Sequence, residues 1–240
     1  MIMNMLIKVL PTFAINTIRY FIKGNVRQYE LLAENDDKPK AFVDGYVSQF
    51  DAPETKHFFN KVHSLLIKLI APSSGNLSVL DVGCGTGRYL SAIQKEFPHI
   101  QLYGLDASEN TIKNYTEKLV GIKCVCNDLS TNENPFANIT FDLVYSITVI
   151  QYIPFYKINV FIARISALVN PGGRIVLQFP QSETSGFNLV SNLNYTRYSP
   201  IKICNILKAK GFLILESASL DSTIAESVHL YGHYIVALKM

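Results

Sequence analysis

From residue 77 onward, short apolar runs alternate with segments of helical period, and this alternation restricts the chain to very few folds. "LSVLDV" (77–82), "IQLYGLD" (100–106), "IKCVC" (122–126), "FDLVYSI" (141–147), "GRIVLQF" (173–179), "FLILESASL" (212–220) and "YIVALKM" (234–240) read as strands. Helical segments separate most of them: 87–97, one capped by Ser108 with Ile112, Tyr115 and Leu119 inward, 156–169, and one opened by Ser199-Pro200 and closed by Gly211. An earlier helix, from Asp51 to Pro72, carries Phe58, Phe59, Val62, Leu65, Leu66 and Leu69 on one stripe. Strands alternating with helices require right-handed crossovers and a mainly parallel sheet. The strands are nearly continuous apolar runs, as they must be when helices cover both faces. The expected fold is therefore α/β: a seven-stranded, mostly parallel sheet with helices on both faces.

The 240 residues, 48% of them apolar, suffice for a single domain of this kind. We divide the chain into an apolar N-terminal leader or helical extension (1–40) and one domain (41–240), with a core at 77–180 and a substrate-side loop at 180–199. The polar stretch "ENDDKPK" (34–40) is the break. In the leader, Lys8, Pro11 and Arg19 interrupt every apolar run, so a spanning helix is not expected. No cleavable signal is expected either. Residues 1–23 suit a cover for the domain, a peripheral membrane contact, or a partner surface such as a homodimer's. A net charge of +3 carries no basic excess, which argues against nucleic acid and favours a small-molecule ligand. Cys84, Cys124, Cys126 and Cys204 lack the paired spacing of a zinc site and read as buried reduced thiols of a cytoplasmic protein.

"VLDVGCGTGRY" (79–89) raises the chemical question. An apolar strand ends in Asp81, then in Gly83, Gly85 and Gly87. Glycines here permit unusual backbone angles and close approach of a ligand to the main chain. The helix that follows offers unpaired N–H groups, which could serve a diphosphate or a carboxylate. A dinucleotide loop, however, spaces its glycines as G-x-G-x-x-G, and Arg88 stands where that loop needs the third. A carboxylate just ahead of the loop also disfavours a diphosphate. It suits a nucleoside ligand that carries a cationic group.

With these residues the chain resembles the class I S-adenosylmethionine-dependent methyltransferases of small-molecule type, whose fold is Rossmann-like; the resemblance implies that the last strand runs antiparallel. The resemblance rests on Asp81-x-Gly83-x-Gly85-x-Gly87, "LYGLDAS" with Asp106, "CNDLS" with Asp128, "FDLVYSITVIQYIP" and "LVNPGGRIVL", in that order. It implies S-adenosyl-L-methionine as cofactor. Gly83, Gly85 and Gly87 would line its amino-acid part, and Asp81 would face the ammonium directly or through water. Asp106, with Ala107 beside it, would accept the ribose hydroxyls. Asp128 would accept from the adenine amine, with Leu129 packing on the ring. Ser146, with 147–151, would form the mouth after the fourth strand. Tyr46, near Phe50 and Asp51, would reach the cofactor from an N-terminal helix, if it is not simply core. Asp142 is read as structural. The mouth departs from the N/D-P-P-Y/W signature of enzymes acting on nucleobases and amides, and no metal is expected.

The base is not visible. Gln151 cannot take a proton, and His229 and His233, at the entry to the last strand, are weak catalytic candidates; His57 and His63 lie on the first helix. Tyr195, Arg197 and Tyr198 in the 180–199 loop are candidates to touch substrate. The expected activity is methyl transfer to an O or N atom of a small molecule. Two rival readings remain: a catalytically silent subunit that binds a protein partner, and a nicotinamide dehydrogenase, which the glycine spacing disfavours.

Overall fold

The computed structural model describes residues 53–72, 75–114, 116, 119–136, 139–180, 186–190, 193–220 and 232–240. The expectations placed on 1–40, Tyr46, Phe50, Asp51, Tyr115 and His229, and on the side chain of Tyr195, lie outside them. Among the described residues no helix is long and apolar enough to cross a membrane.

The chain begins with α1 (Pro53–Ile70), then β1 (Ser78–Val82), α2 (Arg88–Glu96), β2 (Gln101–Asp106), α3 (Glu109–Asn114), β3 (Lys123–Cys126) and β4 (Phe141–Ile147). A 3₁₀ turn (Ile150–Tyr152) leads to α4 (Ile158–Ala167), β5 (Val169–Phe179), β6 (Gly186–Val190), β7 (Leu193–Arg197), α5 (Pro200–Ala209), β8 (Phe212–Ser219) and β9 (His233–Lys239). Ser108 caps α3 as expected, its hydroxyl oxygen accepting from the Thr111 N–H at 3.2 Å.

Seven strands form one sheet in the order β3-β2-β1-β4-β5-β9-β8. β9 runs antiparallel to both neighbours; every other pair in the sequence from β3 to β5 is parallel. The strand order reverses at β1, which pairs with β2 on one side and β4 on the other. That is the switch point where ligands bind in such sheets.

Side chains alternate across a strand, and the two cores follow that alternation. Val79, Leu143, Tyr145 and Val176 pack with α1 and α2, through Val62, Leu66, Leu90 and Ile93. Leu80, Val144, Ile175 and Leu177 pack with α4 and α5, through Phe161, Ile165, Ile203 and Leu207. By the same parity Asp81 belongs to the α1–α2 face, beside its register partner Tyr145.

Three expectations are corrected. The turn expected at Pro171-Gly172-Gly173 lies inside β5. The register jumps there from Phe141↔Val169 to Leu143↔Arg174, so the extra residues bulge out of the ladder. The 180–199 loop is not structureless: β6 and β7 pair as an antiparallel hairpin from Gly186↔Arg197 to Val190↔Leu193. The cysteines are free, but only Cys84 is buried; Cys126 is exposed, and Cys124 and Cys204 are half-buried. β3 lies at the edge of the sheet, where one flank has no strand to cover it.

Candidate active site at the end of β1

The glycine loop folds back over β2. The N–H groups of Gly83 and Cys84 both donate to the Leu105 carbonyl, at 2.6 and 3.0 Å, and the Gly87 N–H donates to the Cys84 carbonyl at 2.9 Å. Gly83, Gly85 and Gly87 all hold positive φ angles (80°, 54° and 75°), a region that costs other residues energy. Their surroundings differ. A β-carbon on Gly83 would lie 2.2 Å from a Val149 methyl, and one on Gly87 2.4 Å from a Leu119 methyl; one on Gly85 would meet nothing within 4 Å. Two glycines therefore allow close packing, and the middle one borders open space.

Asp106 ends β2 beside that space. Its Oδ2 accepts from the Gly85 N–H and its Oδ1 from the Ser108 N–H, each at 2.9 Å. Burial raises its pKa, and the backbone N–H groups of Ser108, Gly85 and Ala107 oppose the rise. Each carboxylate oxygen keeps capacity for one more donor.

Asp81 is 2% exposed. Its Oδ2 and the Tyr145 hydroxyl are both buried and neither meets a partner in full hydrogen-bond geometry, although the hydroxyl lies close enough to act on the carboxyl. Burial pushes the Asp81 carboxyl well above the usual range; the Tyr145 hydroxyl works against that, and the charge on Asp106 adds to it. A buried carboxylate oxygen with no donor is costly. A cation arriving at this end of β1 would relieve the cost, so the residues present fit a ligand with an ammonium group, and they do not fit a diphosphate.

Arg88, the first residue of α2, turns away from the loop. Its guanidinium lies 4.1 Å from the centre of the Phe59 ring on α1. This cation–π contact fixes the start of α2 and explains why an arginine fits where a dinucleotide loop has glycine.

Asp128 closes its own turn: Oδ1 accepts from the Ser130 N–H at 2.8 Å and Oδ2 from the Thr131 hydroxyl at 3.1 Å. Leu129 is 1% exposed and packs in the α4–α5 core, while its carbonyl accepts from Arg164 at 3.0 Å. Its side chain therefore has no free face for a ring, which corrects that expectation. Ser146 is corrected as well. It is fully buried on the α4–α5 face, and its hydroxyl donates to the Val82 carbonyl at 2.9 Å, tying β4 to β1. Ala107 sits between Asp106 and Ser108, its carbonyl 3.8 Å from the Cys126 thiol. Asp142 is structural, as expected: it accepts from the N–H and hydroxyl of Ser78 and from Asn170.

Thr148 was not singled out from the sequence. It follows β4 at φ 58°, the one positive-φ residue other than glycine among those described. Its N–H is held by Gln178, through both the backbone and the side-chain oxygen, at 3.1 Å each. A β-branched residue in this conformation is strained, and such strain collects at functional sites. Nothing in its residue type announces it. Nearby, Gln151 is 5% exposed and its carboxamide oxygen has no partner.

His233 starts β9 opposite Phe179, at the carboxyl-end rim of the sheet. Its Nε2 lies 2.7 Å from the Ser217 hydroxyl, and burial lowers its pKa, so it is neutral near pH 7. His63 lies away from the rim, on α1, 3.5 Å from Glu96 of α2. Tyr198 is fully buried and donates to the Ile153 carbonyl at 2.7 Å. It anchors the hairpin's end to the segment after β4 and is not open to a substrate.

Sheet order defines a doubly wound α/β domain whose switch point carries the glycine loop and the carboxylates of Asp81 and Asp106. Residues 79–173 match the family model for a methyltransferase domain. Trans-aconitate 2-methyltransferase of Deinococcus radiodurans is 26% identical over 132 residues, covering 53% of this chain and 48% of that protein. The match spans about half the length of that protein and 43% of the trans-aconitate 2-methyltransferase of Variovorax paradoxus. Among solved structures, magnesium protoporphyrin IX methyltransferase from Synechocystis PCC 6803, with bound S-adenosylmethionine, aligns with a TM-score of 0.60 at 18% identity, over 97% of this chain and 99% of that one. Burkholderia thailandensis 1,6-didemethyltoxoflavin-N1-methyltransferase, with bound S-adenosylhomocysteine, aligns with a TM-score of 0.63 at 16% identity, over 90% of both chains. Residues 79–173 thus form a methyltransferase domain, and the chain has the fold of S-adenosylmethionine-dependent methyltransferases.

Proposed function

We propose that this protein binds S-adenosylmethionine at the end of β1 and moves its methyl group to an O or N atom of a small molecule. The observation that carries the reading is the partnerless, buried Asp81 oxygen beneath a loop whose central glycine borders open space. Asp81 holds the ammonium group directly or through water. Gly83, Gly85 and Gly87 shape the wall beside it, and Asp106, pinned by two backbone donors, accepts the ribose hydroxyls with its remaining lone pairs. Ala107 and Asp128, after β2 and β3, border the adenine side. When bound, the cofactor supplies a methyl group on a positive sulfur, which leaves as a neutral thioether.

The residues here mainly align the acceptor and exclude water, and alignment can contribute roughly 7–11 kcal/mol. His233, at the rim, stays a weak candidate to accept a proton. The small-molecule reading draws on the relatives, whose names specify trans-aconitate and 1,6-didemethyltoxoflavin as their own acceptors. Free cysteines suit a reducing compartment such as the cytoplasm. We assign 41–240 to one domain, with 1–40 as its extension.

Titration calorimetry with S-adenosylhomocysteine tests the reading. Micromolar affinity is the expected result. No binding at millimolar concentration overturns it in favour of a silent subunit.

A further inference from the structure

Cys84 and Cys124 approach the same point from two sides of β2. Cys84 lies in the glycine loop between Gly83 and Gly85 and is 6% exposed. Cys124 lies on β3, half-buried, as the register partner of Gly104 on β2. A β-carbon on Gly104 would sit 2.7 Å from the Cys124 sulfur and 3.0 Å from the Cys84 sulfur. The side chain missing from Gly104 is the room in which the two thiols meet. Among the described residues no group of three His, Cys, Asp or Glu could hold a metal ion, so the pair stands as a dithiol.

We propose that Cys84 and Cys124 form a reversible disulfide that clamps the glycine loop onto β3 when a hydroperoxide reaches them. The two thiols are unequal. The neighbouring Cys84 thiol holds the Cys124 thiol down to about 7, against the effect of its burial. The same contact, with burial next, pushes Cys84 up. Cys124 is thus the nucleophile, half-exposed and about half thiolate near neutral pH, and Cys84 is the resolving thiol behind it. The Cys124 thiolate attacks one peroxide oxygen. An S–O bond forms, the O–O bond breaks, and the other peroxide oxygen leaves as hydroxide (alkoxide from an organic hydroperoxide) and is protonated to water or an alcohol. The Cys84 sulfur then attacks the sulfenic sulfur. An S–S bond forms, the S–O bond breaks, and the departing hydroxide takes the Cys84 proton as water. The two sulfurs lose two electrons and the peroxide gains them.

A disulfide holds its sulfurs about 2.05 Å apart, far closer than non-bonded sulfurs can approach. Closing that gap draws Cys84 toward β3 and shifts Gly85 against Asp106, whose hydrogen bond joins the loop to β2. Cofactor affinity should therefore fall on oxidation; this consequence rests on the proposed function, whereas the disulfide does not.

The test uses the full chain carrying Cys126→Ser and Cys204→Ser, so that these two thiols alone remain. After treatment with hydrogen peroxide, the expected intact mass is lower by two hydrogens. Both thiols should resist alkylation, a peptide linking Cys84 to Cys124 should appear, and dithiothreitol should restore both thiols. Oxygen added to either sulfur without a linked peptide, or two thiols that still alkylate, overturns the proposal. In the same background, adding Cys84→Ser or Cys124→Ser should prevent the loss of two hydrogens. Affinity for S-adenosylhomocysteine should drop at least about fivefold in the linked form and recover on reduction; unchanged affinity refutes the clamp. If the reduced chain binds no S-adenosylhomocysteine, the functional reading fails, while peptide mapping still decides the disulfide.

Discussion

The Gly85 N–H donates to Oδ2 of Asp106 at 2.9 Å, so the middle of the glycine loop is tied to the tip of the neighbouring strand. One carboxylate thereby holds the loop and, in the proposed function, keeps lone pairs for the ribose hydroxyls. Asp106→Ala should weaken S-adenosylhomocysteine binding more than tenfold, about 1.4 kcal/mol or more, with the far-ultraviolet circular dichroism unchanged. Unaltered affinity would remove Asp106 from the ribose contact.

The three loop glycines should respond differently to one methyl group. Gly85→Ala places its β-carbon in open space. It should cost only about 1–2 kcal/mol of stability, from its positive φ, yet reduce cofactor affinity at least tenfold. Gly83→Ala drives its β-carbon into the short, branched side chain of Val149 and should lower the thermal midpoint more. Differential scanning fluorimetry beside calorimetry separates the two effects. A Gly85→Ala chain with full affinity contradicts the placement of the ligand.

Asp81 makes stability depend on pH. Burial chiefly, opposed by Tyr145 and reinforced by the charge on Asp106, raises its pKa in the folded state. Below the ordinary Asp value both folded and unfolded chains hold the proton, and there is no penalty. As pH rises past that value the unfolded chain ionises first. Stability falls until the folded carboxyl ionises too. Asp81→Asn should therefore raise the thermal midpoint more at pH 8 than at pH 5, by at least about 2 °C, while weakening cofactor binding. Equal gains at both pH values would show that the carboxyl is not perturbed in the fold.

Tyr198→Phe leaves the Ile153 carbonyl without its buried donor. The expected cost is about 1–2 kcal/mol, read as a thermal midpoint lowered by roughly 2–4 °C for each kcal/mol. Cofactor affinity should not change. A large loss of affinity at constant stability would instead place Tyr198 at the ligand.

By itself, the amino-acid order determined the local chemistry: alternating apolar runs, the Ser108 cap, glycines after β1, and carboxylates at the ends of β1 and β2. These are legible because strand and helix periods, caps and turns depend on neighbours a few residues away. Only the tertiary structure decided which polar groups were already occupied. Ser146 and Asp81 both lie within strands, yet Ser146 donates to Val82 while Asp81 keeps a partnerless oxygen. It also turned Arg88 onto Phe59, paired 186–190 with 193–197, and brought Cys84 against Cys124 over Gly104. Each of these depends on which groups distant parts of the chain place side by side, and local sequence carries no record of that.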